Sequence, residues 1–555
     1  MITRRDAMRL ALTGSASCAA VAQQVARRVE APAFIDRKRG RHGFRLAPNG
    51  KRPHIFLITA DMVPPDHYHR DRPLSRHVNL AALRGLAADG VVFQNAFCAS
   101  PLCAPARAAL LTGRYTYITA NGERAHDGHE TILRPDDVIF PEYLKAAGYT
   151  TRHCGKGHLG VQKFMDAFDE NAAAWDRWDP PVRSDEGYLA YLKRLGVKPQ
   201  RFARELFGLQ QDRRTRANSM GGWIVQADGA PFPIEATYSY YLASLALEKV
   251  DAGLSTGRPI YLQLDIFDPH QPFGVPDGFA RREAELRPVC ADLPRSYRET
   301  HASEPKVYDL YRKYWGLYES ATVVDYRVAN ALQMEVVDRA IGLFLDGLRK
   351  RGLYEDSVIA FTSDHGEMNG RRGLVDKGVY LFPDVLRVPL MVKMPRGSPR
   401  QSQSVEAPVS HLDLAPTLLG CCDICPDERL DGTSLLPAIQ DGRGERERNF
   451  LFECGWHVAA NFACGIQHMK ADGSHYLYAY NLASAVDELY DLHAADAPNL
   501  SADPRHQELR KEMVGRLGDV LARDPRWLGY WSSFRIDQYF DLPEQKGDMQ
   551  LRAPA

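Results

Sequence analysis

Cys103 opens a short run whose residue types and spacing suit the chemistry of a tetrahedral anion. The run is Cys103-Ala104-Pro105-Ala106-Arg107, followed by Ala108-Ala109-Leu110-Leu111. Proline is tolerated in the first turn of a helix and the following residues are good helix formers, so a helix is predicted to begin near Cys103. Cys103 and Arg107 then share one face, where free N–H groups and the positive helix end add to the arginine charge. The run therefore predicts an anion pocket.

Three carboxylates follow predicted strands. Asp61 comes after the apolar run 54–60, Asp268 after 260–267 and Asp364 after 357–362. Ligands collect beyond the carboxyl ends of strands in open α/β sheets, so we expect these side chains to converge. Aspartate oxygens favour Ca²⁺ or a similar divalent cation, while an imidazole ligand from His365 would favour Mn²⁺ or another transition metal. The alternative is that Asp61 and Asp364 only cap strands or helices.

Four basic residues complete the candidate site. Lys156 and His158 follow a predicted strand, 150–153, and their spacing places them on one side of the chain. His270 and Lys377 lie in predicted loops. An isolated histidine or lysine in a loop is usually just solvated, so a role for these four depends on the motifs around them.

The elements that must position these residues alternate between strand and helix. Helices are predicted over 80–89, 141–147 and 333–351, and further strands over 91–93, 450–452 and 475–478, before a late helix at 507–523. This order predicts an α/β fold with a mostly parallel mixed sheet sandwiched by helices. We predict a catalytic domain over 51–441, with an insertion at about 163–254 that roofs the site, and a smaller C-terminal α+β domain and tail over 442–555.

Composition excludes several classes of protein. Of 555 residues, 45% are hydrophobic and 25% charged, the balance of a packed protein. Lys plus Arg equals Asp plus Glu at 70 each, which argues against a nucleic-acid partner bound through a basic field. Beyond the N-terminus no run of eighteen apolar residues predicts a membrane span. Ten cysteines at irregular spacing predict buried thiols or one disulfide near Cys421, Cys422 and Cys425.

The first 22 residues resemble a twin-arginine export signal. Arg4-Arg5 precedes a small-residue apolar stretch that ends in Ala20-Val21-Ala22, an A-x-A cleavage pattern. An N-terminal amphipathic helix is the alternative. Residues 23–50 read as a basic linker. The pattern predicts a periplasmic or secreted protein that uses the twin-arginine export machinery.

Continued through Thr112-Gly113-Arg114, the run at Cys103 resembles the signature of type I sulfatases, members of the alkaline phosphatase superfamily. The resemblance covers nearly the whole chain after about Pro53. Further matches occur in the family's order at 155–158, 268–273, 363–367, 377–378, 387–390 and 488–492. It implies an alkaline phosphatase/sulfatase-like fold in which a separate formylglycine-generating enzyme oxidises the signature cysteine, here Cys103.

The resemblance also implies a reaction. A sulfate ester repels nucleophiles and has a poor leaving group, and a hydrated aldehyde at residue 103 answers both difficulties. One of its hydroxyls, ionised by a divalent metal, attacks sulfur and releases the alcohol. The other, once deprotonated, expels sulfate and restores the aldehyde. The implied product pair is an alcohol and inorganic sulfate.

The resemblance assigns the remaining roles residue by residue. Lys156 would bind a sulfate oxygen and His158 would help to deprotonate the second hydroxyl. His270 and Lys377 would bind sulfate and assist the departing alcohol. The implied metal ligands are Asp61, residue 103, Asp364 and His365.

One position departs from the family. Many members carry a second acid or an amide directly after the first aspartate, whereas this chain has Met62, whose thioether is a poor ligand for a hard cation. Four protein ligands are therefore expected unless Asp66 or Asp268 replaces the missing group.

Family precedent favours a small-molecule or oligosaccharide sulfate, and a sulfated carbohydrate above others. Aromatic residues Trp527, Tyr530 and Trp531 would supply either sugar-stacking surfaces or core packing. Two rival functions remain. One is a phosphonate or phosphate ester hydrolase of the same superfamily, and the other is an inactive carbohydrate-binding homologue.

Overall fold

The computed structural model describes residues 44–46, 52–115, 133, 137–298, 304–398, 403–427, 429–442, 444–481, 484, 486–494, 496 and 498–523. The predicted export signal, most of the predicted linker, and Trp527, Tyr530 and Trp531 lie outside these residues. The described strands are β1 (Phe44–Leu46), β2 (Ile55–Ala60), β3 (Val91–Phe93), β4 (Ala96–Phe97), β5 (Thr150–Lys156), β6 (Glu170–Trp175), β7 (Gln200–Leu209), β8 (Arg216–Gln226), β9 (Ile260–Ile266), β10 (Phe273–Pro276), β11 (Val358–Ser363), β12 (Leu390–Lys393), β13 (Gln403–Val405), β14 (Val409–Ser410), β15 (Ile424–Pro426), β16 (Asn449–Trp456), β17 (Ala460–Met469), β18 (His475–Asn481) and β19 (Val486–Asp491). The described α-helices are α1 (Pro65–Tyr68), α2 (Ala81–Asp89), α3 (Cys103–Thr112), α4 (Phe140–Ala146), α5 (Val161–Asp166), α6 (Glu186–Arg194), α7 (Tyr238–Leu254), α8 (Ala280–Ala291), α9 (Val307–Trp315), α10 (Ser320–Lys350), α11 (Pro383–Leu386), α12 (Leu414–Gly420), α13 (Leu436–Asp441) and α14 (Gln507–Arg523).

The central sheet has eight strands in the order β13-β3-β12-β11-β2-β9-β5-β6. The five strands from β11 to β6 are parallel, and β12 runs antiparallel to both of its neighbours. Strands β2, β9 and β11 are buried along their whole length, as expected for apolar strands covered on both faces. Helix α7 packs on β5 and β9, and α2 packs on β3 and β12. The predicted α/β fold with a mostly parallel sheet is confirmed.

A separate antiparallel sheet follows near the C-terminus. Its four strands lie in chain order, β16-β17-β18-β19. Helix α14 packs on β17 and β18, with Met513 and Leu517 fully buried against Leu451 and Ile466. The sequence predicted short pieces of β16 and β18 and the late helix, but not β17 or β19. This sheet confirms a smaller C-terminal α+β unit.

A third sheet adds a long hairpin beside the central one. Strand β7 pairs antiparallel with β8, and β10 pairs parallel with β8. The outer part of β7 is exposed, with side chains such as Arg201 and Arg204 facing solvent. Such a polar pattern carries no clear strand signal, and the sequence did not predict the hairpin. It belongs to the segment that was predicted to roof the site.

Candidate active site

Cys103 is the first residue of α3 and is fully buried. Leu102 before it is extended, Pro105 lies in the first turn, and Gly113 closes the helix in the left-handed region with φ 64°. A glycine suits that closing position because it has no Cβ to clash. The predicted helix start at Cys103 is confirmed. Every residue of α3 is buried, so its N-terminus opens into the protein interior rather than onto bulk solvent.

Cys103 meets two carboxylates and an imidazole at the carboxyl ends of β2 and β11. These strands pair in parallel with Ala60 opposite Ser363, so Asp61 and Asp364 leave the sheet side by side. One ligand atom from each of Asp61, Cys103, Asp364 and His365 lies within 4.8 Å of all the others. The Cys103 Sγ is 3.1 Å from His365 Nε2 and 3.8 Å from Asp61 Oδ1.

The chemistry of this group fits a divalent cation. Nδ1 of His365 lies 2.9 Å from the Gly366 carbonyl oxygen, and a proton donated there leaves the Nε2 lone pair facing the carboxylates. Burial and the charge of Asp61 raise the pKa of Asp364. Burial alone lowers the pKa of His365, but Asp364 and Cys103 outweigh it and raise the pKa to about 9. Both shifts reflect concentrated negative charge, which a bound cation would relieve.

The two candidate replacements for the acid missing at Met62 lie elsewhere. Asp66 is bound by both terminal nitrogens of Arg371, at 2.7 and 2.8 Å, and by Asn369 Nδ2 at 2.8 Å. Asp268 accepts a hydrogen bond from Ser239 Oγ. Neither belongs to the four-residue cluster. The expectation of four protein ligands is therefore the one that the geometry favours.

Arg107 contacts both carboxylates of the cluster. Its Nε is 3.0 Å from Asp364 Oδ2 and its Nη2 is 3.3 Å from Asp61 Oδ2. Its Nη1 donates to the Lys156 carbonyl oxygen at 2.9 Å. The guanidinium is thus engaged with protein groups, whereas the sequence predicted that it would face an anion. We assign it a positioning role.

Lys156 and His158 come from the end of β5 and the loop after it, beside the cluster. Lys156 Nζ lies 2.6 Å from Asp61 Oδ2 and 5.2 Å from the centre of the Phe267 ring. His158 has a left-handed backbone, with φ 57°, and is almost fully buried. Burial lowers the pKa of His158, while a hydrogen bond with Cys103 opposes that shift. Burial thus favours the neutral imidazole at His158.

His270 and Lys377 meet close to the cluster, and both interact electrostatically with Asp61. Lys377 Nζ lies within hydrogen-bonding distance of His270 Nε2, and His270 Nδ1 lies against the Gln271 carbonyl oxygen. A lysine ammonium only donates, so His270 Nε2 is the acceptor of this contact. Burial works against the charge of Lys377, but Asp376, whose Oδ1 is 3.4 Å away, holds its pKa above the ordinary value.

Sequence reasoning missed a buried polar layer under Arg107. Asp265 lies 3.4 Å from Arg107 Nη1, 2.9 Å from His153 Nε2 and 2.7 Å from Gln263 Nε2. The sequence contained an indication of this layer. Gln263 and Asp265 are polar residues of an otherwise apolar strand, and because they are two positions apart they lie on the same face. Gly155 allows β5 to approach, since a Cβ there would lie 2.0 Å from the Asp265 carbonyl oxygen.

A cavity of about 570 Å³ lies next to the loop that carries His270, since Phe267, Asp268 and Gln271 line it. Residues 177–184, which belong to the predicted insertion, form one wall, and residues of the β7–β8 hairpin form another. The Trp178 ring centre lies 6.3 Å from that of His270.

Two other sequence expectations concern membranes and cysteines. None of the described helices combines the length and the apolar character needed to cross a bilayer. All nine cysteines among the described residues are free thiols, with Cys422 buried and Cys425 exposed. The structure therefore has no disulfide among Cys421, Cys422 and Cys425.

Comparisons with known proteins agree with this arrangement. Residues 53–424 match the Sulfatase family, and residues 370–523 match the C-terminal region described as N-sulphoglucosamine sulphohydrolase, C-terminal. An uncharacterized sulfatase, YidJ, of Escherichia coli strain K12 is 27% identical over 87% of this chain and 90% of its own length. An ulvan-active sulfatase of Formosa agariphila is 25% identical over 80% of this chain and 77% of its own length.

A solved structure shares the fold. The phosphonate monoester hydrolase SpPMH from Silicibacter pomeroyi aligns with a TM-score of 0.63 and 19% identity, covering 85% of this chain and 95% of that one. The family match extends over most of the chain and includes Asp61, Cys103, Lys156, His270 and Asp364. The chain therefore belongs to the sulfatase family and is a sulfuric ester hydrolase.

Proposed function

We propose that this enzyme hydrolyses a sulfate monoester of a carbohydrate, using a formylglycine made from Cys103 and one divalent cation, with Ca²⁺ favoured over Mn²⁺. The observation that carries the proposal is the contact of Cys103 with Asp61 and His365 at the buried start of α3. A buried thiol held within 4.8 Å of two carboxylates and an imidazole at a helix start suits the precursor of a nucleophile beside a cation.

In this family the aldehyde, when present, supplies a nucleophile that is regenerated after sulfate leaves, and the cation supplies the charge that ionises it. Asp61, Asp364 and His365 would hold the cation with residue 103. Arg107 fixes both carboxylates at 3.0 and 3.3 Å, so the ligands are positioned before substrate arrives. Lys156 and the positive N-terminal end of α3 present positive charge to the sulfate oxygens.

Three side chains manage protons, one at residue 103 and two beside the departing alcohol. His158 is neutral because burial lowers its pKa, so it can accept a proton at residue 103. Lys377, whose pKa is held above its ordinary value, contacts His270, and its Nζ can give a proton to the departing alkoxide. Overall, one water and one ester give the alcohol, sulfate and a proton.

Two findings support a carbohydrate as the alcohol. One curated relative is named for activity on ulvan, and the C-terminal match is named for N-sulphoglucosamine. The cavity beside His270 also offers an aromatic wall of the kind that sugar-binding sites use.

The test is a comparison of two forms of the protein. The enzyme coexpressed with a formylglycine-generating enzyme should show the aldehyde by mass spectrometry of the Cys103 peptide and should cleave sulfate esters, whereas the Cys103→Ala variant should not. An alkylatable thiol in fully active protein would contradict the proposal. Faster cleavage of an aryl phosphonate than of the matched aryl sulfate would favour the phosphonate hydrolase instead. No turnover of either ester by modified, metal-loaded protein would favour the inactive carbohydrate-binding homologue.

We further propose export by the twin-arginine route, on the strength of Arg4-Arg5 and the A-x-A pattern. Cysteine oxidation needs an unfolded motif and this route carries folded chains, so modification would precede export. Fractionation of cells that express the wild type and an Arg4→Lys, Arg5→Lys variant tests this. Equal amounts of both in the periplasm would contradict it.

A further inference from the structure

We propose that the cavity beside His270 is the subsite for the leaving alcohol, and that it selects a saccharide ring that stacks on Trp178. This inference rests on the proposed function and deepens it by naming the residues that recognise the sugar. It concerns the part of the substrate that lies beyond the ester oxygen.

The position of the cavity fits the leaving group. Phe267 and Gln271 line it, and these residues flank His270 in the loop after β9. Trp178 lies on the same side, with its ring 6.3 Å from that of His270. An alcohol released next to His270 would therefore lie close to this space. Its volume of about 570 Å³ falls within the roughly 300–1,000 Å³ of ordinary ligand pockets.

The aromatic wall is unusual because it is exposed. Trp178 keeps 43% of its surface accessible and Phe202, on β7, keeps 37%. Large aromatic side chains usually bury most of their surface, and exposed ones grouped at a pocket mark a binding site. The flat, apolar face of a pyranose ring is a suitable partner for an indole that presents one face to a cavity.

Polar groups in the same cavity suit hydroxyls. Trp315 is 7% exposed and lines the cavity, and its Nε1–H has no acceptor among the described residues. A buried donor without a partner is costly, so a ligand hydroxyl that accepts from it would be favoured. Asp268 and Ser239 share a hydrogen bond on the cavity wall and offer an acceptor and a hydroxyl.

The charge of the cavity lining indicates whether its ligand is a sugar or an organic cation. An aromatic wall beside a carboxylate would also attract a quaternary ammonium alcohol. However, Arg177, Arg183 and Arg201 line the cavity, against only two aspartates, Asp179 and Asp268. Three arginines disfavour a cationic alcohol and favour a neutral or acidic saccharide.

The test uses the modified holoenzyme and two kinds of sulfate ester. For Trp178→Ala we expect kcat/KM on a sulfated disaccharide to fall about tenfold more than kcat/KM on 4-nitrophenyl sulfate, because a stacking contribution of about 1.4 kcal/mol corresponds to a factor of ten. An unsulfated disaccharide should inhibit hydrolysis of the aryl ester competitively, with an inhibition constant raised about tenfold by Trp178→Ala. Tyr318→Ala, at an aromatic residue that is 37% exposed and outside the cavity lining, is the matched control and should change neither value.

The results separate the two proposals. Equal losses on both esters in Trp178→Ala, or stronger inhibition by choline than by the disaccharide, would overturn the subsite. An Asp268→Ala variant provides a second line, because loss of an acceptor should weaken the disaccharide selectively even if Trp178→Ala folds poorly. Failure of the wild type to cleave any sulfate ester refutes the proposed function itself, which is a different result from loss of selectivity.

Discussion

Replacing Arg107 tests whether it positions the two carboxylates of the site. In Arg107→Ala, Asp364 and Asp61 lose guanidinium contacts of 3.0 and 3.3 Å in a fully buried setting. Removing one partner of a buried ion pair costs about 3–5 kcal/mol, because the remaining charge stays desolvated. Asp61 keeps Lys156 at 2.6 Å, and Asp364 keeps backbone N–H donors from Met62 at 3.1 Å and His365 at 2.9 Å. We therefore expect the lower end, about 3 kcal/mol.

The assay is thermal unfolding of metal-free protein, where a loss of this size lowers the melting midpoint by several degrees. Arg107→Lys keeps the charge but lacks the planar fork that reaches both carboxylates, so it should fall between wild type and alanine. Arg281→Ala is the matched control: its side chain is 94% exposed and pairs with Glu285, and such pairs contribute about 0–1 kcal/mol. A positioning role also predicts that Ca²⁺ affinity drops in Arg107→Lys, where net charge is unchanged. Arg107→Ala that is as stable as Arg281→Ala would refute this reasoning.

Three more predictions follow from the same groups. Ca²⁺ at about a hundred times its dissociation constant should stabilise the wild type by about 2.7 kcal/mol, and Asp364→Ala should remove most of that gain; equal stabilisation of both would place the cation elsewhere. Burial raises the pKa of Asp268 to about 6 from 3.8, so the folded state holds this proton more tightly. The stability that this proton contributes is present in full below about pH 4 and is lost as pH rises through about 6, by up to about 3 kcal/mol. The difference between the melting midpoints of Asp268→Asn and the wild type should change over the same pH range. A difference that does not change with pH would contradict this prediction. Lys377→Ala should lose about a hundredfold more activity on alkyl sulfates than on 4-nitrophenyl sulfate, because only the poor leaving group needs the proton; equal losses would exclude a role in leaving-group protonation.

The buried strands were readable from sequence because apolar runs with a polar end leave few alternatives. The run 54–60 became β2 (Ile55–Ala60), and 260–267 became β9 (Ile260–Ile266). The helix predicted over 333–351 begins much earlier, at Ser320, because its first half is also buried by tertiary contacts with little amphipathic signal. The β7–β8 hairpin escaped prediction because its outer residues are polar and solvent-exposed. Local pattern therefore identified the sheet that positions the site better than the segment that covers it.

Within the site, the sequence predicted which residues take part but not which side chains contact each other. The four-residue cluster follows from strand ends, which parallel pairing brings together. The direction of a side chain depends on what surrounds it. Arg107 faces Asp61 and Asp364 rather than an open anion position, and Asp66 is taken by Arg371.

Met62 shows why the missing acid is tolerated at this site. Its backbone has a φ of 61°, and its N–H donates to Asp364 Oδ1 at 3.1 Å, so this position contributes to the site through its main chain. Its side chain is fully buried, where an added carboxylate would bring a third negative charge beside Asp61 and Asp364. Since burial and Asp61 already raise the pKa of Asp364, a further carboxylate would need a cation to remain ionised. Met62 thus limits the cluster to two carboxylates, Asp61 and Asp364.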